Sequence, residues 1–233
     1  AEIVVCAAYD TAALAQAWSG AADAPGLCDG DRLRFVIDCS TGDPAQIETL
    51  AATMAARGVA LVESPLSGSS TQIAAGTATA LVAGEPAAIE HLHPWLDALA
   101  PRRHVVGRVG MGARAKLATH LVLGLNRAAL AEGMVLAERL GLGRAAFLAL
   151  VLDSPARSEA AVVKGALMVN ERYEPAQSRI VQHLKDLDLM LAQAAQADQH
   201  LPLTEAHAAL LRRAVAAGDG DLDNAGITRQ LGR

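Results

Sequence analysis

Residues 112–142 read GARAKLATHLVLGLNRAALAEGMVLAERLGL. Ala and Leu recur at helical spacing, and Arg114, Lys116, His120, Asn126 and Arg127 interrupt the first half. The pattern predicts one long helix over 112–140. Lys116 and His120 are four residues apart, so they share a face one turn from each other. Two readings are open. The pair is a wet helix edge with a snorkelling lysine, or it is the working end of an active site.

Outward from this stretch the chain divides in two. Beyond Gly110 only helical periods occur, over 112–140, 144–152, 157–169, 175–198, 202–217 and 222–231. Breaks fall at Gly141–Gly143, Asp153–Pro155, Glu174–Pro175, Pro202 and Gly218–Gly220. Before Gly110, apolar strand runs alternate with helices: AEIVVCAA, RLRFVIDCS, VALVESP, GTATALVAG and RHVVGRVG are the strands. A helix capped by Asp10 or Thr11 follows the first strand. Another starts at Asp43-Pro44 and stops at Gly58, and a third runs from Glu85 or Pro86 to about Leu99. Continuous apolar strands alternating with helices predict a parallel sheet covered on both faces. The expected domains are an α/β domain over 1–110 and an all-α domain over 111–233, joined by the long helix.

Composition narrows the function classes. Hydrophobic residues make up 52% of the 233 and charged residues 19%, enough apolar material for a core and against disorder. Aromatics are 3%, so Ala, Leu and Val must do the packing. A net charge of −5 gives nucleic acid no basic face to bind, and no apolar run is long enough for a membrane span. Cys6, Cys28 and Cys39 fit no metal spacing and read as reduced thiols of a cytoplasmic protein; no metal site is expected. The chain opens directly in a buried strand, which predicts that an N-terminal piece is missing from the sequence.

Four stretches offer chemistry. DCSTGDP, 38–44, ends a strand and starts a helix, where hydroxyls and free N–H groups suit a cofactor; a capped strand–helix turn would look the same. ESPLSGSSTQIAAGT, 63–77, runs a strand into a Ser/Gly loop whose donors suit a carboxylate, or into an ordinary polar loop. Lys116 and His120 are the third. QHLKDLDLML, 182–191, places Lys185 and Asp186 in an amphipathic helix, where a solvated face is the plain alternative.

Taken in order, these stretches resemble the β-hydroxyacid dehydrogenase family, which includes 3-hydroxyisobutyrate dehydrogenase and tartronate semialdehyde reductase. The resemblance runs from Glu2 to about Gly232. It extends to LVAG at 81–84, VGMGARAK at 109–116, LGLNRAALAEG at 123–133 and GDLDNA at 220–225. It implies a Rossmann-type domain followed by a helical domain like the C-terminal one of 6-phosphogluconate dehydrogenase, with the active site between them. Lys116 matches the catalytic lysine. Ser67 and Gly68 match the carboxylate-binding pair, followed by Ser69 where a second glycine is usual. His120 stands where the family usually has a substrate-side Asn. Ala8, Tyr9, Ser40, Thr41 and Lys185 match positions on the cofactor side.

The implied reaction moves a hydride between a small 3-hydroxy acid and NAD or NADP, in a homodimer or homotetramer. The family's opening G-x-G-x-x-G is not in this sequence; about two βα units of about 30 residues each are expected to be missing before Ala1. That loss, with His120, supports one alternative: a non-catalytic or cofactor-deficient relative serving in oligomerisation or binding.

Overall fold

The computed structural model describes every residue except residue 22. Three strands, β1 (Ile3–Cys6), β2 (Phe35–Asp38) and β3 (Ala60–Glu63), pair in parallel in that order. Their register sets Cys6, Asp38 and Glu63 side by side at the carboxyl ends. Helix α1 (Thr11–Ser19) follows β1 and is capped by Asp10, whose carboxylate accepts from Ala13 N. Helix α2 (Pro44–Ala55) follows β2. It begins as the sequence predicts, with Pro44 in its first turn and Asp43 accepting from Ala45 N and Gln46 N.

Beyond β3 the sheet departs from the expected all-parallel form. The two-residue β4 (Leu66–Ser67) and five-residue α3 (Ser70–Ala74) keep the chain at the carboxyl end of β3. Strand β5 (Thr79–Ala83) therefore runs back from that end, antiparallel to β3 at Glu63–Ala83 and to β4. Strand β6 (Arg102–Gly107) then pairs with β5 in parallel. The connection between β5 and β6 also differs from expectation. It is two helices, α4 (Pro86–His91) and α5 (His93–Leu99), because Pro94 lacks the N–H that would continue α4 and instead opens α5.

The sheet's faces follow the alternation along β2 and β3. Val36 and Leu61 pack with Leu14 and Trp18 of α1 and Ile47, Leu50 and Met54 of α2. Ile37 and Val62 point the other way, to Val82 and to Ala88, Leu92 and Leu96 of α4 and α5. Each fully buried aliphatic side chain contributes about 1.5–3 kcal/mol, so aliphatic layers replace aromatic bulk here.

Helix α6 (Met111–Arg139) is the long helix predicted from 112–140. After it come α7 (Arg144–Leu152), α8 (Glu159–Val169), α9 (Ile180–Gln196), α10 (Pro202–Ala216) and α11 (Ile227–Gly232). Ser158 caps α8 by accepting from Ala161 N. Helix α9 starts five residues later than the sequence pattern predicts, because Gln177 N and Ser178 N are bonded to Asp223 and not to a helical turn. The chain forms two compact units, Ala1–Ala118 and Thr119–Arg233, with the division inside α6.

Candidate active site

Within the first unit, the carboxyl ends of β1, β2 and β3 gather the polar residues. Ala8 N donates to Ser40 Oγ at 2.8 Å, tying the loop after β1 to the loop after β2. Ser40 N donates to Asp38 Oδ1 at 3.0 Å. Thr11 Oγ1 accepts from Asp43 N, and a Cβ on Gly42 would sit 1.9 Å from that oxygen, so only glycine fits between these loops. Tyr9 is exposed and Thr41 half-buried beside this seam. Ser64, next to Glu63, is fully buried, and its hydroxyl has no hydrogen-bond partner among the described residues. These are hydroxyls and backbone amides where parallel strands end, the place at which α/β sheets receive nucleotides. Their chemistry is of the kind a dinucleotide cofactor can use.

The second cluster surrounds β4. Nζ of Lys116, only 3% exposed, donates to the carbonyl of Leu66 at 2.5 Å. That brings the amine beside Ser67. Gly68 is tight for a side chain: a Cβ would meet that of Ala78 at 3.0 Å, so the neighbour would have to give. Ser69 is taken up locally, since its hydroxyl accepts from Gln72 N while its own N–H donates to Gln72 Oε1. Ser69 is thus the N-cap of α3, a role that explains a serine here without any ligand.

Glu63 anchors the start of α6, the helix that carries Lys116. Its carboxylate accepts from Gly110 N at 2.5 Å, Ala113 N at 2.8 Å and Gly112 N at 3.3 Å, using the free amides at the start of α6. A Cβ on Gly112 would come within 2.9 Å of Glu63 Cβ. Burial raises the Glu63 carboxyl above its ordinary range; the three donors oppose this and the charge of Asp38 adds to it. Asp38 is likewise raised by burial, against the hydrogen bonds from Ser40. Burial, then Asp38 and Cys6, push the Cys39 thiol up to about 12.

Within the second unit, His120 on α6 lies with α9. Its Nδ1 is 3.4 Å from Asp186 Oδ2, and Lys185 Nζ is 3.3 Å from Asp186 Oδ1. So His120 and Lys185 meet through a shared carboxylate. His183 stands on the same side of α9, its ring centroid 6.3 Å from that of His120 and 5.2 Å from that of His207 on α10. His207 is buried, and burial, then the nearby Arg127 charge, push it down to about 4. Arg127 is itself buried and lowered to about 10 by desolvation. Sequence reasoning missed His183 and His207. A signal was present: Gly124, one turn past His120, is the gap into which both rings lean.

Comparison with known proteins decides the family. Residues 110–231 match the family model described as NAD-binding of NADP-dependent 3-hydroxyisobutyrate dehydrogenase, and residues 1–110 match the NAD binding domain of 6-phosphogluconate dehydrogenase.

The chain belongs to the β-hydroxyacid dehydrogenase family.

Among curated relatives of this β-hydroxyacid dehydrogenase chain, glyoxylate/succinic semialdehyde reductase 1 of Arabidopsis thaliana is 32% identical over 84% of the chain and 67% of its own length. A cytokine-like nuclear factor N-PAC of Aedes aegypti is 29% identical over 79% of the chain, which spans only 33% of that longer protein. Among solved structures, 3-hydroxyisobutyrate dehydrogenase of Salmonella typhimurium superposes with a TM-score of 0.85 at 25% identity, over 97% of this chain and 78% of that one. Both matched family models are NAD-binding domains, so the cofactor class is NAD or NADP. No helix among the described residues is long and apolar enough to cross a membrane.

Proposed function

We propose that the protein is an NAD(P)-dependent oxidoreductase of small 3-hydroxy acids, such as 3-hydroxyisobutyrate or glycerate, or the reductase of the matching semialdehyde. The observation that carries this reading is the buried Lys116 amine held on the Leu66 carbonyl beside Ser67 and Gly68.

In the proposed roles, Ser67 and the Gly68 amide hold the substrate carboxylate and fix its orientation. Lys116 Nζ takes the hydroxyl proton during oxidation and returns it to the carbonyl oxygen during reduction. The nicotinamide, when bound, accepts or gives the hydride. Ala8, Tyr9, Ser40 and Thr41 line the strand ends on the cofactor side, and the family resemblance assigns Lys185 to the cofactor as well. His120 replaces an amide side chain with one that also donates and accepts hydrogen bonds at the substrate. Ser69, held as a cap, acts through the shape of the loop.

The partners proposed are the 3-hydroxy acid and further copies of the chain, as a homodimer or homotetramer. Support for self-association is the apolar exposure of Val122 and Leu136 on α6, Leu140 just after it and Leu150 on α7. The three free cysteines suit a reducing compartment such as the cytoplasm.

Fluorescence titration with NADH and NADPH, followed by a panel of 3-hydroxy acids and semialdehydes, tests the reading. Micromolar nucleotide binding and turnover of at least one acid are expected. Absence of both would favour a non-catalytic relative, a reading to which the similarity to N-PAC, named a nuclear factor, lends weight.

A further inference from the structure

From the facing sides of α6 and α9 we infer a metal site: His120, His183 and Asp186 bind a divalent first-row transition ion of the Zn2+ type. One ligand atom from each residue lies within 4.8 Å of the others. The three sit in one compact unit, and His183 and Asp186 are both buried.

The spacing suits a shared ion. His120 Nδ1 and Asp186 Oδ2 are 3.4 Å apart. Two donors held at about 2.0–2.1 Å from a tetrahedral Zn2+ lie about 3.4 Å from each other. A direct N–H···O bond would draw them to about 2.9 Å. This edge already has that length; the edges to His183, bounded at 4.8 Å, would close to it on binding. His183 and Asp186 are three residues apart on α9, so one helical turn presents both to α6.

The surroundings support the same use. A Cβ on Gly124 would stand 2.7 Å from His183 Nε2, so the glycine one turn after His120 lets the second imidazole lie against α6. Lys185 Nζ sits by Asp186 Oδ1, at 3.3 Å, leaving Oδ2 as the oxygen on the His120 side. Ligating carboxylates are commonly held by such a second partner. His207 lies behind His183, its ring nitrogens without hydrogen-bond partners among the described residues. Two imidazoles and one carboxylate, with no thiolate, select a borderline ion over Ca2+ or Mg2+. Three protein ligands leave a fourth position open to water or to an oxygen of a small anion.

The proposal assigns His120 to the ion in place of a direct hydrogen bond to the substrate, does not otherwise rest on the dehydrogenase reading, and is tested with neither nucleotide nor substrate. Chelator-treated protein is titrated with Co2+, followed by its visible absorption, and with Zn2+ by calorimetry. One equivalent per chain is expected, with intense four- or five-coordinate Co2+ bands and proton release on binding. His120→Asn and His183→Gln should each weaken binding by more than about a hundredfold, beyond the loss of an outer-shell partner. His200→Asn, at an exposed His–Glu pair, should leave it unchanged. If His183→Gln does not fold, His120→Asn decides together with thermal unfolding: Zn2+ should raise the Tm of the wild type and not of the variant. Wild-type protein showing only weak octahedral Co2+ absorption, or His120→Asn binding as tightly as wild type, would overturn the site.

Discussion

Nζ of Lys116 donates its hydrogen bond to the carbonyl oxygen of Leu66, the residue immediately before Ser67 and Gly68. The lysine comes from α6 and the carbonyl from β4, fifty residues earlier. One bond thus fixes the distance between the proposed proton carrier and the proposed carboxylate cradle. Gly68→Ala tests this coupling. The new Cβ would meet Ala78 at 3.0 Å and force the loop to shift. The expected result is a KM for the hydroxy acid raised by about tenfold, since even a small misplacement of the carboxylate cradle loses orientation, with nucleotide affinity unchanged. Steady-state kinetics and a nucleotide titration check it.

Asp38 and Glu63 stand side by side in the β2–β3 register, and both are raised by burial above ordinary values of 3.8 and 4.5. The folded protein then holds these protons more tightly than the unfolded chain. Their contribution to stability is fully present below the ordinary values and is lost as pH rises through the raised folded ones. Glu63→Gln should flatten that part of the pH dependence. It should also cost about 1–3 kcal/mol near neutral pH, because one amide oxygen cannot serve three backbone donors. Urea unfolding of both proteins across the acid-to-neutral range measures both effects.

In the helical unit, Asp223 is the most heavily used carboxylate. It accepts two bonds from Lys164, at 2.8 and 3.0 Å, and further ones from Gln177 N, Ser178 N and Ala225 N. Breaking a buried pair from one side typically costs about 3–5 kcal/mol. Asp223→Ala is expected to lose that much in chemical denaturation. Pairing it with Lys164→Met should recover part of the loss, because the stranded cation is then gone.

How much of this was legible follows from the kind of signal each feature leaves. Asp43-Pro44, Gly58 and the 112–140 periodicity are local, and they marked α2 and α6 correctly. The direction of β5 was not legible. A buried strand reads the same whichever way it runs, and the reversal is set by β4, only two residues long. Pro94 splits α4 from α5, and its place in the first turn of α5 could have been read. Lys116, Ser67 and Gly68 were singled out by their order along the chain, but the Leu66 carbonyl that joins them leaves no mark in sequence. Ser69 hid its capping role, because a cap and a ligand group are both a serine at a loop. His183 and His120 are brought together only by the packing of α9 on α6, and Gly124 is the one local trace of it.

The central claim is that Lys116 moves the substrate proton. The most direct measurement compares wild type and Lys116→Ala for NAD(P)H oxidation with a small semialdehyde acid, alongside nucleotide affinity by fluorescence. The account predicts a kcat lower by about 10²–10⁴, the usual worth of a positioned acid–base group, with nucleotide affinity little changed. Wild-type turnover in Lys116→Ala would contradict it.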